Sequence, residues 1–276
     1  MRAALFQMTS GIDPAANAAA IVEMVKRAKG EGADMLFTPE MAGYLDSNRQ
    51  RAADILRNEA DDIVLAQVRE AAAREGLWVH IGSLPLKDER ADGRRANRSF
   101  LIDDSGAIRA RYDKIHLFDV DLATGESWRE SSVYGPGEQV VAADTPWGRM
   151  GFSICYDMRF PDLYRALTNA GATILLAPAA FTVPTGKAHW HVLLRARAIE
   201  AGCFVIATAQ VGTHQDGRTT YGHSIAIDPW GEVLLDMGDE GGLGFVDLDL
   251  IRIADIRGRV PALANRRPIP ADVTVS

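Results

Sequence analysis

The pattern of hydrophobic and polar positions changes period repeatedly along the chain, which predicts alternating strands and helices. Residues 2–8 form an apolar run typical of a strand. Asp13 and Pro14 then supply an N-cap and a first helical residue, and apolar residues follow at helical spacing up to Gly30. Further short apolar runs, each predicted to form a buried strand, occupy residues 34–38, 78–85, 149–155, 172–178, 203–209, 222–228, 232–236 and 242–250.

Three more helices and one hairpin are predicted. The helices cover roughly residues 59–75, a segment from Pro161 to Gly171, and residues 187–201. In the last of them, the apolar positions predicted to face inward are Val192, Leu193, Ala196 and Ile199. Residues 98–114 read as a hairpin around Asp104-Ser105-Gly106, and residues 115–148 show little periodicity.

These elements predict an α/β protein with more strands than helices. A simple doubly wound sheet would have similar numbers of each, so two packed sheets with helices outside are favoured. No stretch has the composition of a linker, and residues 1–276 are therefore expected to form one domain.

Composition and charge exclude several classes of function. The net charge of −7, from 30 basic and 37 acidic residues, argues against binding to nucleic acid or anionic lipid. No apolar run approaches the length of a membrane span, and the N-terminus is too short and mixed for a signal peptide. The two cysteines suggest reduced thiols and a cytoplasmic location. Neither a C-x-x-C motif nor a Cys/His array is present, so no structural zinc site is expected.

Cys155 lies where a buried strand gives way to charged residues, in the segment GFSICYDMRF. A strand end with a nearby cation and access to solvent is typical of a reactive cysteine. A buried, inert cysteine is nevertheless the more common case, and the local pattern alone favours it. Cys203 begins a plain apolar strand and is interpreted as a packing residue.

A nucleophilic cysteine needs a base, and histidine is the first candidate. No protease signature surrounds Cys155, however, and no G-x-S-x-G motif offers a serine instead. His189 and His191 are two positions apart in a predicted helix, where they would face different sides, so a shared metal ion is not expected.

Glutamate and lysine are the remaining candidate partners. Glu40 directly follows a buried strand in FTPEMAGY, where desolvation would raise its pKa and make it a useful base. Lys114 ends another strand in RYDKIHLF, and its ammonium would favour a thiolate and stabilise an oxyanion. Three strand ends that present Glu, Lys and Cys are a plausible site for acyl transfer.

Three segments, in this order along the chain, resemble motifs of the nitrilase, or carbon–nitrogen hydrolase, superfamily: FTPEMAGY, YDKIHLFD and GFSICYDMRFP. The similarity continues through PTGKAHWHVLLRARAIEAGCFVIATAQ and YGHSIAIDPWGE to about residue 268. The resemblance implies a four-layer αββα sandwich. It also implies a homodimer or a higher even-numbered oligomer, in which the helix from Pro161 and the helix of residues 187–201 meet their copies. No metal ion or organic cofactor is implied.

The resemblance also assigns roles to residues. Glu40 would be the general base, Lys114 the oxyanion stabiliser, Cys155 the nucleophile, and the backbone N–H of Tyr156 the second oxyanion donor. The family has a further glutamate between the lysine and the cysteine.

Two Glu-Ser pairs compete for the position of this further glutamate. Glu130-Ser131 matches the motif best, and Glu126-Ser127 is the alternative.

The segments CYDMRFP and HW-x-x-LLRARAIE resemble the Nit-type amidases, whose substrates carry a carboxylate away from the scissile bond. AQVGTHQDGRTTYGHS is more similar to the deaminated glutathione type than to the ω-amidase type. The implied substrate is deaminated glutathione or an ω-amide of a 2-oxo dicarboxylic acid. An N-carbamoyl amine hydrolase and a nitrilase are alternatives on the same fold. A non-catalytic binding protein is disfavoured, because it would not need Glu, Lys and Cys together.

Three residues are candidates for contacting the substrate. Arg159 and Arg218 could each bind its carboxylate. Arg159 could equally anchor the turn after Cys155 by pairing with Asp157 or Asp162. His223 could approach the pocket or be a hydrogen-bonded core histidine.

Overall fold

Two six-stranded sheets form the centre of the molecule. The computed structural model describes residues 1–88, 92–121, 125 and 127–270. The first sheet has the spatial order β16 (Gly242–Asp247), β1 (Arg2–Gln7), β2 (Met35–Phe37), β3 (Trp78–Leu86), β4 (Ala96–Ile102) and β5 (Ile108–Asp113). The second has the order β15 (Val233–Asp236), β14 (Ile225–Ile227), β11 (Phe204–Ala207), β10 (Ile174–Leu176), β9 (Gly148–Phe152) and β8 (Ala142–Thr145).

Both sheets are mixed, with a parallel centre and antiparallel edges. Strands β1, β2 and β3 are parallel, as are β9, β10 and β11. The outer pairs of each sheet run antiparallel. Two short hairpins lie outside the sheets: β6 (Asp119–Asp121) with β7 (Ser127–Arg129), and β12 (Val211–Thr213) with β13 (Thr219–Tyr221).

The α-helices of the described residues are α1 (Pro14–Gly30), α2 (Arg49–Ile55), α3 (Ile63–Glu75), α4 (Pro161–Asn169), α5 (Val183–Ala201) and α6 (Ile251–Arg259). Helix α1 begins as predicted, because the Asp13 side chain accepts a hydrogen bond from the Ala15 N–H at 2.9 Å and Pro14 occupies the first turn. Helices α3 and α5 end at Gly76 and Gly202, both with left-handed backbone.

Alternate residues of the strands divide the core into layers. In β1, Ala4 packs with α1 and α3, whereas Leu5 packs with the second sheet and its helices α4 and α5. The order of layers is therefore helices, first sheet, second sheet, helices, and the predicted αββα sandwich is confirmed. No helix in the described ranges is long and apolar enough to span a membrane.

The two sheets approach closely beside the carboxyl ends of β2 and β10. Gly82 of β3 lies between them, and a Cβ on this residue would be only 2.2 Å from the Thr38 carbonyl oxygen and 2.5 Å from Cβ of Pro178. A side chain here would force the sheets apart. Glycine at this position allows the ends of strands from both sheets to meet.

The predicted inward face of α5 is wrong at Val192 and Ile199, whereas Leu193 is half-buried against the core. Val192 and Ile199 are 69% and 53% exposed, and the buried positions include Trp190, Leu194 and Arg197. The guanidinium of Arg197 is buried because it stacks over Tyr164 and donates a hydrogen bond from Nε to the Met158 carbonyl at 2.9 Å. A pattern based on apolar residues assigns such an arginine to the outside.

Several short elements were not predicted from the sequence. Residues 115–148 contain β6, β7, β8 and a short 3-10 helix at Glu130–Ser132. Helices α2 and α6 and the hairpin of β12 and β13 were also missed.

Candidate active site

Glu40, Lys114, Glu130 and Cys155 meet where strands of both sheets end. Glu40 follows β2, Lys114 follows β5, and Cys155 follows β9 and opens a 3-10 helix, Cys155–Arg159. The Lys114 ammonium lies 2.9 Å from Oε1 of Glu40 and 2.8 Å from Oε2 of Glu130. The Cys155 thiol interacts electrostatically with the Glu40 carboxylate and the Lys114 ammonium. The structure thus brings together the residues that the sequence comparison selected.

Both oxygens of the Glu40 carboxylate are held by protein donors. Oε1 accepts hydrogen bonds from Lys114 Nζ and from Nδ2 of Asn97, each at 2.9 Å. Oε2 accepts one from the Ala180 N–H at 2.9 Å. The Glu40 main chain is also fixed, because Gln210 Nε2 donates to its carbonyl at 2.9 Å. The carboxylate is therefore oriented before any ligand arrives.

Glu130 contacts the same ammonium from the other side. Lys114 Nζ donates to both of its oxygens, at 2.8 and 3.1 Å, and the Phe118 N–H donates to Oε2 at 2.6 Å. Glu130 begins a short 3-10 helix in the segment that lacked periodicity. The alternative residue, Glu126, lies outside the described residues.

Asn97 connects these groups and was missed by the sequence analysis. Its side-chain Nδ2 donates to Glu40 at 2.9 Å and to Glu130 at 3.3 Å, and its carbonyl accepts the Lys114 N–H at 3.0 Å. It lies in β4 and is 1% exposed. Arg98 and Ser99 follow it in β4, so no local pattern singles out Asn97. Its burial does so, since a buried amide needs partners.

The backbone at Cys155 adopts an uncommon conformation. Its φ of 49° is in the left-handed region, and its N–H donates to the Pro178 carbonyl at 2.8 Å. Met41, beside Glu40, has a φ of 57°. Such conformations cost free energy and persist only where surrounding contacts impose them.

Asp157 imposes the turn that carries Cys155. Its carboxylate accepts hydrogen bonds from the Ile154 N–H at 2.9 Å, the Tyr112 hydroxyl at 2.6 Å and the His116 N–H at 2.9 Å. The neighbouring Tyr156 N–H has no protein acceptor in the described part of the chain. It is therefore free to donate to an oxygen held near Cys155 Sγ.

The electrostatics of the site differ from the prediction for Glu40. Burial alone would raise the pKa of Glu40, but the charge and hydrogen bond of Lys114 outweigh it and hold the pKa below 4.5. The expected upward shift was therefore wrong, because a cation is in direct contact with the carboxylate.

Lys114 itself stays charged. Burial would lower its pKa, but the carboxylates of Glu130 and Glu40 raise it well above 10.5.

The thiol of Cys155 is protonated in the resting protein. Burial, followed by the negative charge of Glu40, raises its pKa well above 9.0, and the opposing effect of Lys114 is smaller. Lys114 lowers the pKa of Cys155, in the predicted direction, but burial and the charge of Glu40 outweigh it. An ionised Glu40 beside a neutral thiol is the arrangement that a general base needs at the moment of attack.

Arg159 faces aromatic rings instead of a carboxylate. Its guanidinium lies 5.9 Å from the ring centre of Tyr156 and 5.4 Å from that of Phe181, and Nη1 is 3.3 Å from Nδ1 of His189. Its Nε is buried without a hydrogen-bond partner among the described residues.

The alternative in which Arg159 anchors the turn was wrong. Asp157 contacts Ile154, Tyr112 and His116 instead, and Asp162 pairs with Arg165 at 2.9 Å.

The other two candidate residues have protein partners. Arg218 pairs with Asp216 at 3.0 Å and stacks over Trp128 at 5.0 Å. His223 Nδ1 lies 2.9 Å from the Asp236 carboxylate, and its ring stacks on Tyr221 at 4.4 Å. Neither residue contacts Glu40 or Cys155 in the described part of the structure.

Comparison with known proteins agrees with this geometry. Residues 2–258 match the model of the carbon-nitrogen hydrolase family. A deaminated glutathione amidase from Yersinia enterocolitica is 41% identical over 96% of this chain and 92% of that protein. The crystal structure of the NitFhit protein of C. elegans matches with a TM-score of 0.90 and 38% identity, over 96% of this chain and 65% of that one.

A solved amidase from Nesterenkonia sp. AN1, which shows Michael addition of acrylamide at its active-site cysteine, matches with a TM-score of 0.79. The identity is 28%, over 96% of this chain and 99% of that one. The chain therefore belongs to the carbon–nitrogen hydrolase family, and it is a cysteine-dependent amidase.

Proposed function

We propose that this protein hydrolyses a small linear amide with a distal carboxylate, through a thioester on Cys155. The observation that carries the proposal is the convergence of Glu40, Lys114 and Glu130 beside the buried Cys155 thiol, with Lys114 Nζ 2.9 Å from Glu40 and 2.8 Å from Glu130. A base and a nucleophile in contact, with the base oriented by a third group, are the components of nucleophilic catalysis.

In the first half of the reaction, Sγ of Cys155 attacks the amide carbonyl while Glu40 takes the thiol proton. The carbonyl oxygen becomes an oxyanion, which accepts hydrogen bonds from Lys114 Nζ and the Tyr156 N–H. Because Lys114 donates to both oxygens of Glu130, one N–H can turn to the oxyanion while the ammonium stays paired. The C–N bond then breaks, and Glu40 gives its proton to the leaving ammonia or amine.

In the second half, water replaces the leaving group. Glu40 takes a proton from the water, which attacks the thioester, and Glu130 supports the charge on Lys114. Collapse of the second oxyanion breaks the C–S bond, and the proton on Glu40 returns to the sulfur. The carboxylic acid is released, and the site regains its starting protonation. Each step uses only groups of this chain, the substrate and water.

The substrate class is proposed from the relatives and from Arg159. The relative in Yersinia enterocolitica is named for deaminated glutathione, an amide that carries carboxylates. The guanidinium of Arg159 lies four residues after Cys155 and has no carboxylate partner among the described residues. Arg218 is less suitable, because Asp216 already neutralises it. We therefore propose that Arg159 receives the distal carboxylate of deaminated glutathione or a similar ω-amide.

The proposed reaction is tested by mass spectrometry with a panel of substrates. Deaminated glutathione, ω-monoamides, N-carbamoyl amines and nitriles are each incubated with the protein, and acylation of Cys155 and release of ammonia are measured. Acylation and turnover with the carboxylate-bearing amides are expected. Turnover confined to the carbamoyl compounds or the nitriles would replace the proposal with one of those activities.

Arg159→Met is expected to abolish the preference for a charged substrate. Loss of an ionic contact should cost about 1.5–3 kcal/mol, which is roughly ten- to a hundredfold in kcat/KM. The measurement compares kcat/KM for the carboxylate-bearing amide with that for its neutral methyl ester, in the native protein and in the variant. Arg218→Met is the matched control and should keep the preference. The same ratio in the native protein and Arg159→Met would show that the carboxylate lies elsewhere.

We also propose a homodimer or a higher even-numbered oligomer that pairs α4 and α5 with their copies. Val192 and Ile199 of α5 and nearby Trp230 are each more than half exposed, at 69%, 53% and 58%. Large exposed apolar side chains at neighbouring positions are typical of an interface between subunits.

Light scattering at micromolar concentration is expected to give an even-numbered oligomer. Joint replacement of Val192 and Ile199 by glutamate should dissociate it, because the interface would then bury like charges. Ile251→Glu is a control at an equally apolar position of α6, which is 79% exposed. A fully active monomer in the native protein would contradict the proposed assembly.

Two broader expectations belong to the same proposal. Residues 1–276 are proposed to form one hydrolase domain, which is supported by a core cluster that contains residues of both sheets. A cytoplasmic location is proposed because Cys155 and Cys203 are both free thiols.

A further inference from the structure

Three side chains of types that bind transition metals converge outside the site described above. His191 belongs to α5, His223 precedes β14, and Asp236 ends β15. One ligand atom from each lies within 4.8 Å of the other two. The sequence analysis did not expect a metal, because it considered only the neighbouring pair His189 and His191. The actual partner of His191, Asp236, is 45 positions away in the sequence.

The distances between the donor atoms are close to those that a metal ion requires. Nε2 of His191 is 2.8 Å from Oδ2 of Asp236, and Nδ1 of His223 is 2.9 Å from Oδ1. Metal–ligand bonds of about 2.0–2.2 Å in tetrahedral geometry separate the donors by about 3.3 Å. Each histidine therefore needs to move away from Asp236 by only about half an ångström to reach the separation of two ligands on one ion.

Surrounding contacts hold these side chains in place. The Gly238 N–H donates to Asp236 at 3.0 Å, and Tyr221 stacks on the His223 ring at 4.4 Å. The backbone of His223 has a φ of 57°, and its carbonyl accepts a hydrogen bond from Trp190 Nε1 at 2.8 Å. Supporting partners of this kind orient metal ligands and tune their affinity.

Charge and access also suit a cation. Burial would raise the pKa of Asp236, but the Gly238 N–H and the two imidazoles lower it overall, so the carboxylate is ionised at neutral pH. The side chains of His191, His223 and Asp236 retain exposures of 33%, 26% and 30%. An ion can therefore enter from solvent and keep water as its remaining ligand.

We propose that His191, His223 and Asp236 form a binding site for a divalent transition metal ion, with Zn²⁺ as the first candidate. Two imidazoles and one carboxylate match Zn²⁺, Ni²⁺ or Co²⁺, whereas Mg²⁺ and Ca²⁺ prefer sites made of oxygen ligands. The bound ion would link α5 to the segments on either side of β14. It would stabilise the folded state by mass action.

The test uses the full chain with Cys155→Ala, which removes the thiol of the active site. The protein is dialysed against Zn²⁺ at neutral pH, bound zinc is measured by elemental mass spectrometry, and affinity is measured by calorimetry. One equivalent is expected. Loss of a supporting partner alone costs about 10–100-fold in affinity, so His191→Gln and Asp236→Asn should weaken binding by at least about 100-fold. Zn²⁺ should also raise the melting temperature of the parent and not of these variants.

His189→Gln is the matched control, since it removes a histidine two positions earlier in the same helix whose ring contacts Arg159. It should bind zinc as the parent does. Equal affinities in His189→Gln and His191→Gln would overturn the proposal, and so would the absence of bound zinc in the parent. This result is independent of the amidase reaction, because the measured protein lacks Cys155.

Discussion

Replacement of Cys155 by alanine is expected to lower amide hydrolysis by on the order of 10⁴-fold or more, because no other group can form the thioester. The thiol contacts the ionised Glu40, and the Tyr156 N–H beside it is free for the oxyanion. Alanine at this position leaves the surrounding hydrogen bonds of the main chain unchanged. The measurement is kcat with the best substrate of the panel, with circular dichroism to show that the variant is folded.

Cys203 provides the matched control for this experiment. It is also a buried, free cysteine, and burial raises its pKa to about 11. Its thiol donates to the Ala172 carbonyl at 3.2 Å and lies far in sequence from the catalytic groups. Cys203→Ala should cost about 1–2 kcal/mol of stability and leave the activity of the folded protein unchanged. If Cys155→Ala retained native turnover, the thioester mechanism would have to be abandoned.

Glu40→Gln is expected to lower kcat by about 10²–10⁴-fold, the usual value of general acid–base catalysis. The amide keeps the shape of the carboxylate and one oxygen for Lys114 or Ala180, but it cannot take the thiol proton. Acylation of Cys155 should be slow even when the substrate is bound. Single-turnover measurements by mass spectrometry separate this loss from a change in substrate affinity.

Substitution of the glutamate in each Glu-Ser pair, Glu130 and Glu126, tests which of them acts beside Glu40. Glu130→Gln should also impair turnover, because the Lys114 ammonium would lose one of its two carboxylates. Glu126→Gln should leave it unchanged. A large loss in Glu126→Gln with a normal Glu130→Gln would mean that the assignment of the second glutamate is wrong.

The pH dependence of kcat/KM provides a further check on Glu40. Its pKa in the folded protein is held below 4.5, so the base is ionised throughout the neutral and mildly acidic range. Activity that depends on this base should persist as the pH falls and be lost only below that value. An acidic limb near neutral pH would indicate a carboxylate whose pKa is raised, in conflict with the contact between Glu40 and Lys114.

Elements set by local contacts were predictable from the sequence. Asp13 and Pro14 mark the start of α1 because the cap is made within a few residues, and Gly202 ends α5 for the same reason. The short hairpin of β6 and β7 has only three residues in each strand and one apolar residue in each, which is too short for a periodic signal. The inward face of α5 depends on Arg197, whose burial is made possible by Tyr164 and Met158 from other elements.

The candidate site also has features that were predictable from the sequence and features that were not. Glu40, Lys114 and Cys155 stand in recognisable motifs at strand ends, so the sequence predicted their grouping. The pKa shifts of Glu40 and Cys155 depend on how burial is offset by contacts between Glu40, Lys114 and Cys155, which come from three separate strand ends. Asn97 escaped notice because its partners, Glu40 and Glu130, are 57 and 33 positions away.

The close approach of the two sheets beside Gly82 links activity to the order of folding. Glu40 and Lys114 extend from the first sheet, and Cys155 and the Ala180 N–H extend from the second, with Glu40 and Ala180 separated by 140 positions. Contacts across such long separations form late, because the chain must first close the intervening loops. A chain whose sheets have formed but have not docked would therefore be inactive, because Glu40 and Cys155 would lie apart. During refolding, recovery of amidase activity would report the docking of the sheets, whereas circular dichroism would report the formation of strands and helices.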